Sequence, residues 1–152
     1  MGDYIKKVRV TNQGELDEAL KADPSGDVMI VIDSKPGGYT PNYIFVTDSR
    51  GHWIEARGES RVVVSGTSVV TARDRSMVDA RDESVVHATD FAQVNWHDSS
   101  TGTCGYYARG QAWDMSKVET RALCPLFASD SAEVTARSAS RVVAQGDALV
   151  YA

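Results

Sequence analysis

An eight-residue phrase recurs along most of this chain. ARDRSMVD, which begins at Ala72, is followed at once by ARDESVVH. Every eighth residue from Ser60 to Ala148 is small, and nine of the twelve positions from Val62 to Val150 are Val. The octad A-x-[GD]-x-S-x-V-x runs to the last residue without an insertion or deletion. An internal repeat of this kind constrains the fold more strongly than any local signal does.

Side-chain type alternates within the repeat. From residue 55 onward every Lys, Arg and Glu occupies an odd-numbered position, whereas even positions carry mostly Ala, Ser, Val, Gly and Asp. A period of two is typical of a strand with one face inward. Each octad therefore predicts a short strand and a tight corner, where Gly and Asp interchange because both tolerate turn backbone and Asp can bond its own turn. Stacked octads form a β-solenoid.

The number of octads in a coil decides which residues stack. A sixteen-residue coil places four Asp residues in one corner column, whereas a twenty-four-residue coil scatters them over three corners; they are Asp82, Asp98, Asp114 and Asp130. Like residues favour stacking. We therefore predict a mainly β protein: a β-solenoid, or parallel β-helix, of about six sixteen-residue coils over residues 55–152, behind a small α+β cap over residues 1–54.

The first 54 residues do not follow the octad. KKVRVT and DVMIVID predict strands, NQGELDEALKA predicts a helix with Leu16 and Leu20 on its apolar face, and SKPGGYTPN predicts turns. A solenoid end exposes an unpaired strand edge, so this segment is expected to cover it. The chain stops in repeat phase, and we expect a homodimer there through Leu149, Val150 and Tyr151.

The octads resemble those of two known groups. ARDESVVH and ARGESRVV are similar to the octapeptides of bacterial ice-nucleation proteins, whose repeats pair into sixteen-residue coils, and this resemblance covers about residues 55 to 152. The short α/β start followed by such octads also resembles a set of largely uncharacterised proteins from phages and prophages. The second resemblance implies a phage-encoded protein that acts in the host cytoplasm, and it brings no catalytic residues.

The repeat is interrupted once, in NWHDSSTGTCGYYARGQAW. Trp96 replaces an inward Ala, and Gly102 and Gly110 replace inward Val. A large residue beside positions that have lost side-chain volume indicates that the core is repacked at constant density. The alternative interpretation is a functional groove. Cys104 and Cys124 occupy positions that require small residues. We expect free thiols there, because no signal peptide is visible and disulfides are rare in the cytoplasm.

Motifs for catalysis or metal binding are not visible. The corner has one Asp without the paired Gly of calcium-binding nonapeptide repeats, the three His share no ligand spacing and are expected in solvent, and no Gly-x-Ser-x-Gly or phosphate-loop pattern occurs. We therefore expect no enzyme, cofactor or metal site. The net charge of -5 argues against direct nucleic-acid binding, and no apolar run approaches the roughly 18 residues of a membrane span.

Exposed apolar residues give the best candidate for a binding surface. A sixteen-residue coil stacks Phe91, Tyr107 and Leu123 on the outside, flanked by Trp113 and Phe127. Such a row suits a binding hot spot, although stacked neighbours also cover one another.

We therefore predict a non-catalytic protein-binding module or inhibitor, phage-encoded and directed at a host defence protein. The alternative is a structural component such as a virion decoration. Nucleic-acid mimicry is less favoured because the repeat region carries few outward acids. Ice binding is less favoured because charges interrupt the one face on which Thr-x-Thr occurs, at Thr101 and Thr103.

Overall fold

The computed structural model describes residues 6–22, 28–34, 43–137 and 140–151. It begins with β1 (Lys6–Val10), α1 (Gln13–Ala22) and β2 (Val28–Ile32), as the sequence predicts. The segment expected to form turns, SKPGGYTPN, falls almost wholly outside the described residues. The strands that follow are β3 (Tyr43–Val46), β4 (Trp53–Ala56), β5 (Arg61–Val64), β6 (Val69–Ala72), β7 (Met77–Ala80), β8 (Val85–Ala88), β9 (Gln93–Trp96), β10 (Thr101–Cys104), β11 (Arg109–Ala112), β12 (Lys117–Thr120), β13 (Pro125–Ala128), β14 (Glu133–Ala136), β15 (Arg141–Ala144) and β16 (Leu149–Tyr151).

The strands form two parallel sheets that face each other. The nine-stranded sheet has the order β1-β2-β4-β6-β8-β10-β12-β14-β16, and the seven-stranded sheet contains the odd-numbered strands from β3 to β15. Val62 pairs with Val78, and Val78 pairs with Val94, so each residue meets the one sixteen positions on. The predicted β-solenoid and its sixteen-residue coil are confirmed.

The solenoid has about seven coils, one more than expected. Ile44 of β3 pairs with Val62, and Ile54 of β4 pairs with Val70, so stacking begins at Tyr43, ahead of residue 55. This segment lacks the octad but keeps its alternation, because Ile44, Val46 and Ile54 are all buried. Strands β1 and β2 extend the nine-stranded sheet further.

Small polar residues complete the inner face at each corner. Several of the Ser residues that precede a strand are buried, and at some corners the hydroxyl donates to the carbonyl three residues earlier: Ser76 Oγ lies 2.8 Å from Arg73 O, and Ser100 Oγ lies 2.6 Å from His97 O. Each bond satisfies a buried hydroxyl and closes the turn locally. At these two corners Ser therefore fits both by its size and by its hydrogen bond, whereas the buried hydroxyls of Ser68 and Ser116 have no hydrogen-bond partner and fit by size alone.

Corner Asp residues connect one coil to the next. Asp82 and Asp98 have φ values of 55°, in the left-handed region. The N–H of Gly66 donates to Asp82 Oδ2 at 3.0 Å, and the N–H of Asp82 donates to Asp98 Oδ2 at 3.1 Å. The stacked Asp column is confirmed, but the expected bond within each Asp's own turn is wrong. The corner N–H is instead satisfied by the carboxylate of the following coil.

The interruption in the repeat is a compensated core. Trp96 is wholly buried, and its Nε1 donates to Thr101 O at 3.1 Å. A Cβ at Gly110 would lie 2.5 Å from Trp96 Cζ3, and a Cβ at Gly102 would lie 2.7 Å from Trp96 Nε1. The indole thus occupies the space that a Val side chain fills at the Gly110 position of other coils, whereas a Cβ at Gly102 would first meet the backbone oxygen of Val86. This packing confirms repacking rather than a groove at this point.

We predict that Asp98→Ala destabilises the solenoid more than Asp98→Gly. Both variants lose the bond to the N–H of Asp82, but Ala also adopts left-handed backbone at a cost of about 1–2 kcal/mol. Asp98→Asn keeps an acceptor and tolerates this backbone, so it serves as the control. Urea denaturation measures the order. Equal stability of the Ala and Gly variants would show that left-handed backbone at position 98 has no energetic cost for Ala, which contradicts the prediction.

We predict that Gly110→Val costs about 1–3 kcal/mol, because it overpacks the site beside Trp96. Combined with Trp96→Ala, the new Val fills vacated space, so the double variant loses less stability than the two single variants together. A double-mutant cycle in urea measures this coupling. Strict additivity would show that the two positions do not share one volume.

Candidate functional site

The three stacked apolar residues form an exposed ridge. Phe91, Tyr107 and Leu123 lie in successive corners that lead from the nine-stranded sheet into β9, β11 and β13. The rings of Phe91 and Tyr107 are stacked, with centroids 5.4 Å apart and planes 11° apart. Their exposed fractions are 59% and 57%, and that of Leu123 is 54%. Mutual covering therefore leaves most of this apolar ridge in solvent.

The ridge lies where the corner departs from the repeat. Asp74 and Asp90 hold the left-handed corner position in earlier coils, but Tyr106 and Ala122 hold it beside Tyr107 and Leu123, with φ values of 55° and 53°. Left-handed backbone costs residues such as Tyr and Ala roughly 1–2 kcal/mol each. Tyr106 is also 65% exposed, so it adds apolar surface to the ridge without adding to the core. Strain of this kind points toward function.

Trp113 and Phe127 form a separate cluster. Trp113 follows β11, and its ring stacks on His97 at 6.4 Å and tilts against Phe127 at 5.8 Å. The apolar ridge precedes the same strands, so the two groups lie at opposite ends of them, about 13 Å apart along four residues. The single flanked surface that we expected is therefore two surfaces. One lies at the amino ends and the other at the carboxyl ends of the strands of the seven-stranded sheet.

Cys104 and Cys124 form a disulfide, so the expectation of free thiols is wrong. Cys104 ends β10 on one side of the corner, and Cys124 directly precedes β13 on the other side, one coil later. Their Cα atoms are 5.9 Å apart. The bridge ties the corner of Tyr107 to that of Leu123 from inside. Disulfides are rare in the cytoplasm, so this bond is at odds with the location we expected.

The nine-stranded sheet carries two equivalent ion-pair clusters. Glu119 lies 2.8 Å from Arg121 and 3.1 Å from Arg137, and Glu55 makes the same contacts with Arg57 and Arg73. The hydrogen bond from Arg121 holds the pKa of Glu119 below its usual value, and the bond to Glu55 raises the pKa of Arg57. These pairs neutralise outward carboxylates, which does not favour nucleic-acid mimicry.

The three histidines stand apart from one another. His52 is buried, with Nδ1 3.2 Å from Val28 O, so its expected place in solvent is wrong. His87 Nδ1 lies 2.9 Å from Thr103 Oγ1, and burial and the nearby Arg121 lower the pKa of His87. Within the described ranges, no group of three His, Cys, Asp or Glu side chains is placed to hold a metal ion.

Strand β16 contains the residues expected at a dimer interface. Leu149, Val150 and Tyr151 are all exposed along this last strand of the nine-stranded sheet. Pairing with a second copy stays a prediction. Among the residues that the structure covers, no helix is both long and apolar enough to cross a membrane.

Comparisons with family models, with curated proteins and with solved structures found no match for this chain.

We predict that reduction of the disulfide lowers the free energy of unfolding by about 3 kcal/mol, because the twenty-residue separation of the cysteines constrains the unfolded chain. Urea denaturation with and without a dithiol reductant measures the difference. A Cys104→Ala/Cys124→Ala variant is the control, since it has no bond to reduce. A thiol-reactive probe should find no free thiol before reduction and two afterwards; titratable thiols in the untreated protein would contradict the bond.

Proposed function

We propose that this protein is a non-catalytic protein-binding module, a phage-encoded inhibitor of a host defence protein, and that the apolar ridge is its principal contact. The observation that carries the proposal is the exposure of Phe91, Tyr107 and Leu123 in one straight column. Binding hot spots are small clusters of large, mostly aromatic side chains that a partner desolvates. A partner groove of matching width would bury all three residues at once.

The ridge is also pre-organised for binding. Its side chains project from corners locked to neighbouring coils by parallel pairing of β9, β11 and β13, and the Phe91 and Tyr107 rings already stack. A rigid surface loses little conformational entropy when a partner binds. The disulfide between Cys104 and Cys124 lies under the same corners and restrains them further.

A binding role accounts for features that a purely structural role does not need. A virion decoration needs a rigid rod, which Gly and Asp corners already provide. Tyr106 and Ala122 in left-handed backbone make the rod less favourable, and the apolar residues beside them face solvent. The phage-encoded origin and the host target rest on the resemblance of the octads and of the α/β start.

The test compares capture of host proteins by three forms of the purified protein. The ridge variant carries Phe91→Ala, Tyr107→Ala and Leu123→Ala. Met115→Ala is the control, because Met115 is 64% exposed but lies in the opposite corner. We predict that one bacterial protein binds the wild type and the control with equal affinity, and binds the ridge variant at least about tenfold more weakly, as loss of a hot spot implies.

The ridge side chains are exposed, so all three forms should melt at similar temperatures, and melting curves establish that each is folded. Equal binding of the same protein to the ridge variant would refute the assignment of the surface. The absence of a specific protein with any form would refute the proposed function.

A further inference from the structure

The outer face of the seven-stranded sheet contains a long groove. It has a volume of about 670 Å³ and runs from Tyr43 on β3 to Val143 on β15 between two columns of outward side chains. Seven strands spaced about 4.8 Å apart give it a length of roughly 29 Å. The groove is therefore narrow for its length, a shape that fits one extended chain rather than a compact ligand or a globular surface.

The groove is positively charged on a protein whose net charge is -5. Arg61, Arg109 and Arg141 begin β5, β11 and β15 and line it. Across the parts of the chain that the structure covers, no carboxylate lies within 4.0 Å of these guanidinium groups. Asp79 is the one acid in the two columns, and it already accepts a bond from Asn95 Nδ2 at 3.0 Å.

The opposite sheet differs because its acids and bases are paired. Outward positions from β4 to β16 carry three acids and one base, which are Glu55, Glu119, Glu133 and Lys117. Each of these is held in an ion pair within its own sheet or at its corner. Arg61, Arg109 and Arg141 therefore stand without a salt bridge among the described residues on the outer face of the seven-stranded sheet, where they attract an acidic partner and repel a basic one.

The remaining groove residues suit a polypeptide. Gln93 and Gln111 expose side-chain amides that can bond a peptide main chain. Met77, Pro125 and Phe127 supply apolar contacts between the arginines. A nucleic-acid strand places a phosphate roughly every 3.4 Å and is bound by clustered cations. Here Arg61 and Arg109 are three coils apart, about 14 Å, and Arg109 and Arg141 are two coils apart, about 10 Å.

We propose that this groove binds an extended, acidic segment of a partner protein, about eight or nine residues long. An extended chain advances about 3.4 Å per residue and alternates its side chains between two sides, so acidic residues at every fourth position would stay on one side and face Arg61, Arg109 and Arg141 in turn. Arg binds carboxylates through two parallel hydrogen bonds, so the contact is directional as well as electrostatic. The groove is a surface distinct from the apolar ridge, and the inference depends on the proposed function only in that the partner is a protein.

The test measures binding of labelled ten-residue peptides to the full chain by fluorescence anisotropy. The probe peptide has Glu at these spacings with Val and Thr between, and its counterpart has Lys in place of each Glu. A ten-nucleotide single strand of dT is the third probe. Arg109→Glu is compared with Lys117→Glu, because both residues begin adjacent strands along the chain and face solvent, but on opposite sheets.

We expect the Glu peptide to bind the wild type and Lys117→Glu with equal affinity, to bind Arg109→Glu at least about tenfold more weakly, and to lose affinity as salt is raised. The Lys peptide and the nucleotide strand should bind at least about tenfold more weakly than the Glu peptide. Equal binding of the Glu peptide to Arg109→Glu, or tighter binding of the nucleotide strand, overturns the proposal.

The ridge variant separates this inference from the proposed function. Its three substitutions lie outside the groove, so it should bind the Glu peptide as the wild type does. If peptide binding fails while the host protein is still captured through the ridge, only the groove assignment is wrong. If the host protein is not captured but the Glu peptide binds through Arg109, the ridge proposal fails alone.

Discussion

Each described corner of the solenoid turns through one residue with left-handed backbone, and where the following coil supplies an Asp, the N–H of that residue donates to its carboxylate. In one column the carboxylates of Asp82, Asp98 and Asp114 accept these N–H groups in succession. Main-chain pairing along the strands keeps the same sixteen-residue register. The corner bonds and the sheets therefore enforce one alignment, and every outward side chain stands directly above its equivalent in the next coil.

That alignment turns the surface into columns, and the columns define the candidate binding surfaces. The apolar ridge is one corner column, whereas the groove lies between two columns of the seven-stranded sheet. The ridge runs along the amino ends of the strands that form the groove, and Trp113 and Phe127 lie at their carboxyl ends. A partner that covers this sheet can therefore contact apolar residues at both ends of the strands and the arginines between them.

The coils around Trp96 depart most from the repeat. The indole is accommodated by Gly102 and Gly110, the disulfide crosses the adjacent corner, and Tyr106 replaces a corner Asp. The first two departures preserve packing and restrain the chain, whereas the third adds strain and exposed surface. Their concentration in one stretch places restrained backbone beneath exposed apolar residues, as a rigid binding surface requires.

The sequence by itself determined the solenoid, the inward parity and the sixteen-residue coil, because each of these is expressed again in every octad. The exchange of volume between Trp96 and the two glycines was also visible, since it involves equivalent inward positions. Only the tertiary structure decided how different columns lie beside one another. Cys104 and Cys124 occupy different columns, and they meet because the corner folds one sheet onto the other. The same fold places Trp113 across the sheet from Tyr107 and opens the groove between outward columns. A repeat specifies which residues stack along the axis, but contacts across the axis depend on the direction of each turn.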